Sequence, residues 1–296
     1  MKVLVSGGKG LVGRYVVEAL LSAGYDVIVG GRSPPAAGYF SRPVGFRSLS
    51  LDPEYDPIDD FDEAYHFVHA AFDHQPGKYR GGEGDDPVRF RRLNLDGTVR
   101  LFDAARRAGV RRVVFLSSRA VYDGIAPGMP LVETAELHPK GLYGEVKLLA
   151  EQVLADMSGP GFAGSSLRLT GVYGDLRPNK WDEMFAYYLS GGAVPVRAGS
   201  EVHGRDVGQA VRLMLEGDTA RVCGEAFNVS DVVTDTREIL STLKMASGSP
   251  HPLPVPADKT LVAEMATDKI RALGWMPGGK ERLEATVRSL ADSLRC

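Results

Sequence analysis

Cysteine is nearly absent from this chain: two residues in 296, Cys223 and Cys296, far apart and one at the last position. Such a pair offers no disulfide framework and suits a reducing compartment, so a cytoplasmic protein is expected. No stretch approaches the ~20 apolar residues that a membrane helix needs. The apolar run at the amino terminus stops at Val5 and turns into glycines, unlike a secretory signal. Neither sign of charge dominates: 35 Lys and Arg against 38 Asp and Glu leave a net charge of −3. That balance gives no basic footprint for nucleic acid. Histidines are few, and His66 and His69 in YHFVHAAF stand three apart on a strand-like run, pointing to opposite faces. With His74 in a loop, no metal site is expected. Internal repeats and low-complexity tracts are missing too.

Glycine, by contrast, is plentiful, and its first cluster is the most telling. VLVSGGKGLVGRYVVEALLSAGYDVIVGGR reads as strand, glycine turn, helix, strand. Val3, Leu4 and Val5 suit a buried parallel strand. Gly7 permits a tight turn, Gly10 lets backbone amides approach a pyrophosphate, and Gly13 lets the helix pack closely on the strand. The helix amino terminus, with Leu11 and Val12, then favours the negative phosphates. The spacing is GxxGxxG rather than GxGxxG, but its place after a first strand makes it a dinucleotide site. The second strand ends in Gly30 and Gly31, where an acid that binds the ribose usually stands, followed by Arg32 and Ser33. No carboxylate is there to repel a 2′-phosphate, and Arg32 can bind one as a charged fork. NADP(H) is therefore favoured over NAD(H). Asp52, after FRSLSL, is a candidate for the adenine amino group.

The chemistry is read from a second cluster. VVFLSS ends a strand at Ser117 and Ser118, and LYGEVK places Tyr143 and Lys147 four residues apart. On a helix that spacing brings both side chains to one face. A nearby ammonium favours the phenolate, and a phenol so poised can exchange a proton with a secondary alcohol or ketone. Ser118 would hold the same oxygen.

Together these segments resemble the extended short-chain dehydrogenases/reductases of the NAD-dependent epimerase/dehydratase type. VSGGKGLVG, HFVHAAF, NLDGTVRLFDAARRAGVRRVVFLSSRAVYD, LYGEVK and LRLTGVYG carry the resemblance, and VHGRDVGQAV, GEAFNVSD and KIRALGWMP continue it. The resemblance implies that Ser118, Tyr143 and Lys147 form the catalytic triad, with Lys147 also on the nicotinamide ribose. It places His69, Ala70 and Ala71 along the cofactor and Asn94 in the helix beside the site. Departures matter as well. Arg119 and Ala120 stand where sugar dehydratases carry an acidic pair, so a 4,6-dehydratase is not expected. Gly171 stands where nucleotide-sugar enzymes of the family usually have an asparagine, and the arginine expected near VHGRDV has only Arg197 and Arg205 as neighbours.

The expected architecture is α/β: a doubly wound parallel Rossmann sheet with a smaller C-terminal substrate lobe. Residues 1–172 would form the dinucleotide-binding domain with the catalytic residues. Residues 173–296 would form mainly the smaller lobe, some segments returning to the sheet. The polar, glycine-rich stretch 73–90 reads as a long loop beside the cleft, and 123–141 borders the cleft from the other side. Arg119, Thr170, Arg177, Lys180 and Trp181 are the expected substrate contacts. Three functions stand open: hydride transfer at a secondary alcohol or ketone of a small hydroxylated substrate, nucleotide-sugar epimerisation by transient hydride transfer, and dinucleotide sensing without turnover. A small-molecule substrate is the expected partner, a homodimer is allowed, and neither nucleic acid nor membrane is expected.

Overall fold

Strand β1 (Lys2–Ser6) is sealed from solvent at Val3, Leu4 and Val5, as its uninterrupted apolar run requires. It leads through the glycine loop into α1 (Leu11–Ser22) and back to β2 (Asp26–Gly31) and β3 (Gly45–Ser48). The computed structural model describes residues 1–75 and 82–294. The chain continues through β4 (His66–His69), α2 (Pro87–Arg91), a π-helical stretch (Arg92–Asp96), α3 (Gly97–Arg107) and β5 (Arg112–Ser118). A short 3-10 turn (Arg119–Tyr122) and a loop lead to α4 (Leu142–Met157) and β6 (Ala163–Leu169).

Beyond β6 lie β7 (Gly171–Tyr173), α5 (Asp182–Leu189), β8 (Ala198–His203), α6 (Gly204–Glu216), α7 (Thr219–Val222) and β9 (Glu225–Val229). Then follow β10 (Val232–Asp235), α8 (Thr236–Ser247), α9 (Asp268–Arg271) and α10 (Gly279–Ser293).

The main sheet runs β3-β2-β1-β4-β5-β6-β9, parallel at every pairing. Alternation along each strand feeds two cores. Val3, Val5, Val27, Val29, Val68 and Val114 face α1 and α6, while Leu4, Ile28, Phe67, Val113 and Phe115 face α3 and α4. Chain order reverses between β1 and β4, and such a switch point opens a crevice at the carboxyl ends of the strands. A second sheet, β10-β8-β7, packs away from the first over Tyr173, Trp181, Phe185 and Leu240. β9 leaves this region and pairs with β6 in the main sheet. The prolines at 250, 252, 254 and 256 lie in the connection after α8. No helix among the described residues is long and apolar enough to cross a membrane.

Candidate active site

The crevice begins at the glycine loop. Gly7 adopts φ +68°, a conformation L side chains rarely take. A Cβ there would stand 2.7 Å from the Ala71 nitrogen, and one on Gly13 would stand 2.1 Å from the Gly7 carbonyl oxygen. The two glycines thus let the turn, α1 and the segment after β4 close on one another and leave the amino end of α1 facing the crevice. Ser6 fixes that segment, its Oγ accepting from Ala70 and Ala71 nitrogens at 3.2 Å. This is the cradle a dinucleotide pyrophosphate requires. Leu11, Val12 and Ala70 line the cavity that opens from it.

Tyr143 and Lys147 sit one turn apart on α4. Gly144 lets the helix press on the 3-10 turn, since a Cβ there would meet the Ala120 carbonyl at 2.5 Å. The contact brings the start of α4 beside Ser118, whose Oγ caps that turn by accepting from Ala120 N at 3.1 Å. The Lys147 ammonium is buried and donates to the Leu116 carbonyl at 2.8 Å. It lies 4.4 Å from the centre of the Phe72 ring, 4.6 Å from Phe115 and 6.0 Å from Tyr143. Burial lowers its pKa to about 7, and the Glu151 carboxylate one turn on opposes that shift. Phe72 also packs edge-on against Tyr143, so one ring steadies both side chains.

Ser118, Tyr143, Lys147, Thr170, Lys180, Trp181 and Arg119 all border one cavity of about 1180 Å³. Several anticipated residues are placed differently. Arg177 lies outside it, exposed and paired with Asp182 at 3.1 Å, because the chain turns outward before α5. Trp181 is a core residue with one edge on the cavity: it is 4 % exposed and stacks on Tyr173. The His69 ring points into the core, bonded to Ser6 Oγ at 2.6 Å and Thr98 Oγ1 at 2.9 Å. Burial drops its pKa to about 3. After His69, Ala70 and Phe72 border the crevice. The Asn94 amide is spent on the main chain, donating to the Asp73 and Phe90 carbonyls and accepting from Asp73 N. It anchors the start of the loop at 73, whose residues 76–81 lie outside the described ones. Asp52 is exposed and pairs with Arg92 at 2.8 Å. Arg32 and Ser33 are exposed past the end of β2, and Ser33 Oγ accepts from Lys9 Nζ at 2.7 Å.

Four features have no counterpart in the motif reading. Lys9, inside the glycine loop, reaches the segment after Arg32. Phe72 packs on the tyrosine–lysine pair. Behind α4, buried Glu151 accepts from Ser117 Oγ and from the Arg168 guanidinium, at 2.7 Å to Nη2. Arg168 donates onward to Tyr122 at 2.8 Å, and Tyr122 to Asn228 at 2.8 Å. That chain ties α4, β5, β6 and β9 together beneath the site. The fourth is Glu201, which bonds Lys180 inside the cavity. A glutamate one turn after Lys147 was the only sequence signal for the buried network. Among the described residues no group of three or more His, Cys, Asp or Glu could hold a metal ion.

Comparison with known proteins agrees with this geometry. The family model described as the NAD dependent epimerase/dehydratase family matches residues 3–230. The UDP-glucose 4-epimerase of Mus musculus is 32% identical over 172 residues, 53% of this chain and 48% of that one. The Bacillus subtilis enzyme is 33% identical over 165 residues, with the same shares. In these matches the chain spans about half the length of the curated relatives. A UDP-glucose 4-epimerase of Corynebacterium glutamicum is 27% identical over 94% of this chain and 91% of its own. Among solved structures, the Thermotoga maritima UDP-glucose 4-epimerase with UDP-glucose has a TM-score of 0.81 at 25% identity, covering 99% of this chain and 100% of that one. The Thermus thermophilus UDP-glucose 4-epimerase in complex with NAD has a TM-score of 0.78 at 28% identity, covering 100% and 99%. With the family match running through the glycine loop, the serine strand and the tyrosine–lysine helix, this chain belongs to the NAD dependent epimerase/dehydratase family.

Proposed function

We propose that the protein is a nicotinamide-dinucleotide-dependent enzyme of the extended short-chain dehydrogenase/reductase type, acting at a secondary alcohol or ketone of a hydroxylated substrate. The observation that carries the proposal is the placement of Tyr143 and Lys147, one helical turn apart, on a cavity continuous with the glycine loop. The bound dinucleotide supplies or accepts the hydride. The rest falls to this chain. The Tyr143 hydroxyl exchanges the proton of the reacting oxygen, and the Ser118 hydroxyl positions that oxygen. The Lys147 ammonium favours the phenolate and holds the nicotinamide ribose. Phe72 and Phe115 keep water from the ammonium. The region from residue 173 onward supplies the facing wall, through Lys180, Trp181 and Glu201.

We infer NADP(H) rather than NAD(H) as the preferred dinucleotide. Support comes from the lack of a carboxylate at Gly30 and Gly31 and from two cations, Lys9 and Arg32, brought to the end of β2. The Thermus thermophilus relative was solved with NAD, which makes coenzyme choice a test rather than a premise.

Kinship with UDP-glucose 4-epimerases favours a second reading, in which oxidation is transient and the product is an epimer. One assay separates the two. The protein is incubated with either coenzyme and a panel of sugars and nucleotide sugars, following absorbance at the reduced nicotinamide band and product stereochemistry. Stoichiometric coenzyme consumption means net oxidoreduction, and an epimer without consumption means epimerisation. Failure to bind either coenzyme overturns both.

A further inference from the structure

The wall of the cavity facing Tyr143 carries an ion pair of its own. The side chain of Glu201, on β8, is 11% exposed and bonds Lys180 through Oε2. Register sets it opposite Gly171 on β7. Its carboxylate lies directly over that glycine: a Cβ on Gly171 would meet Oε2 at 2.6 Å and Oε1 at 2.9 Å. The φ of Gly171 is not positive, so the missing side chain is a matter of space, and Glu201 fills that space.

Charge on this wall is nearly balanced. Lys180 is matched by Glu201, and Arg119 stands 3.8 Å from Asp123. Asp235 is used up capping α8 and accepting from Ala257 N. Arg197 is exposed at the rim. Close by, Thr170 borders the cavity, and its hydroxyl oxygen is buried with no hydrogen-bond partner among the described residues. A buried polar group left unpaired is costly, and a substrate hydroxyl would satisfy it.

We propose that Glu201 and Lys180 form a specificity device that rejects nucleotide diphosphates and accepts an unphosphorylated, hydroxyl-bearing substrate. The carboxylate accepts and the ammonium donates to substrate hydroxyls, and Thr170 makes the third contact. A diphosphate on this wall would meet the negative charge of the Glu201 carboxylate and find its nearest ammonium already neutralised. This inference rests on the proposed function, since it concerns the substrate side of the same cavity.

The probe is uridine diphosphate, titrated calorimetrically into the full chain saturated with coenzyme. The wild type is expected to show a Kd above about 1 mM, and Glu201→Gln, which leaves Lys180 a free cation, to bind at least about tenfold more tightly. Thr170→Val is expected to raise KM for unphosphorylated sugars on the panel while leaving coenzyme affinity unchanged. A wild-type Kd below about 1 mM would overturn the proposal, and so would unchanged affinity in a Glu201→Gln variant that still binds coenzyme. Should that variant fail to fold, the wild-type titration decides alone. Loss of coenzyme binding by the wild type would instead sink the proposed function.

Discussion

On the cofactor wall of the cleft, glycines make room for the backbone that forms a ligand cradle; on the facing wall, a glycine makes room for a side chain. Gly7 and Gly13 are hemmed in by backbone, which a Cβ would strike at 2.7 and 2.1 Å. Nothing there can move aside, so the loop stays bare and phosphate can approach. Gly171 is hemmed in by the Glu201 carboxylate. There a side chain from the next strand has taken the vacated volume. The glycines of the two walls thus admit different neighbours, main chain on one side and a carboxylate on the other.

The largest expected effect tests the chemistry the two walls share. Tyr143→Phe removes only the phenol oxygen and leaves the ring on Phe72. Turnover is expected to fall by ~10²–10⁴-fold, with coenzyme affinity near that of the wild type. Steady-state kinetics beside a coenzyme titration measure both. More than half of wild-type activity in the variant would remove Tyr143 from the mechanism.

The next effect exposes what the cofactor wall costs the fold. Burial brings the Lys147 ammonium from 10.5 to about 7. Below about pH 7 both folded and unfolded chains hold the proton, and the folded state bears the whole desolvation cost. Between about pH 7 and 10.5 the unfolded chain binds more protons, so this group's contribution to stability rises with pH. Lys147→Met escapes the cost. Its stability relative to wild type is expected to be greatest near pH 6 and to shrink by up to about 1.4 kcal/mol per pH unit above pH 7. Urea unfolding at pH 6, 7, 8 and 9 measures the slope. Parallel pH profiles for the two proteins would show that the ammonium is not desolvated.

A smaller effect sets the glycines directly against each other. Gly13→Ala forces a methyl into the Gly7 carbonyl and is expected to destabilise by about 1–3 kcal/mol and weaken coenzyme binding. Gly171→Ala meets only the far end of a glutamate side chain, which can swing away, and should stay within about 0.5 kcal/mol of wild type. Equal losses in thermal unfolding would erase the distinction.

How far the sequence spoke differs between the walls in the same way. The parallel sheet, the glycine loop and the tyrosine–lysine pair were legible because each rests on local periodicity or short spacing. Arg177 and Trp181 follow Gly174 closely in the chain, and nothing local said that the arginine turns out while the tryptophan turns into the core. The inward turn of the His69 ring follows from a strand's alternation, while Ala70 next to it borders the crevice. Glu201 was invisible because its meaning comes from a strand pairing across 30 positions, Gly171 to Glu201. The Glu151–Arg168 pair was hidden because it joins a helix to a strand, a contact set by packing rather than by local spacing.

Coenzyme choice is the finest test of the cofactor wall. An acid at the end of β2 would accept from a ribose 2′-hydroxyl and repel a 2′-phosphate. The chain has Gly30 and Gly31 there, and Asp52, the next acid along the chain, is turned to Arg92. Lys9 leans across from the glycine loop to Ser33, so two cations flank the place a 2′-phosphate would take. Both sit near solvent, where screening limits each to roughly a charge-assisted hydrogen bond at its weaker end. NADP(H) is therefore expected to bind more tightly than NAD(H). Arg32→Ala and Lys9→Ala should each cost about tenfold in NADP(H) affinity, with NAD(H) affinity changed less than about twofold. The NADP(H) loss should shrink as salt rises. Calorimetry with both coenzymes on the three proteins decides it. Tighter NAD(H) binding by the wild type, or losses that fall equally on both coenzymes, would mean that the cations do not read the phosphate.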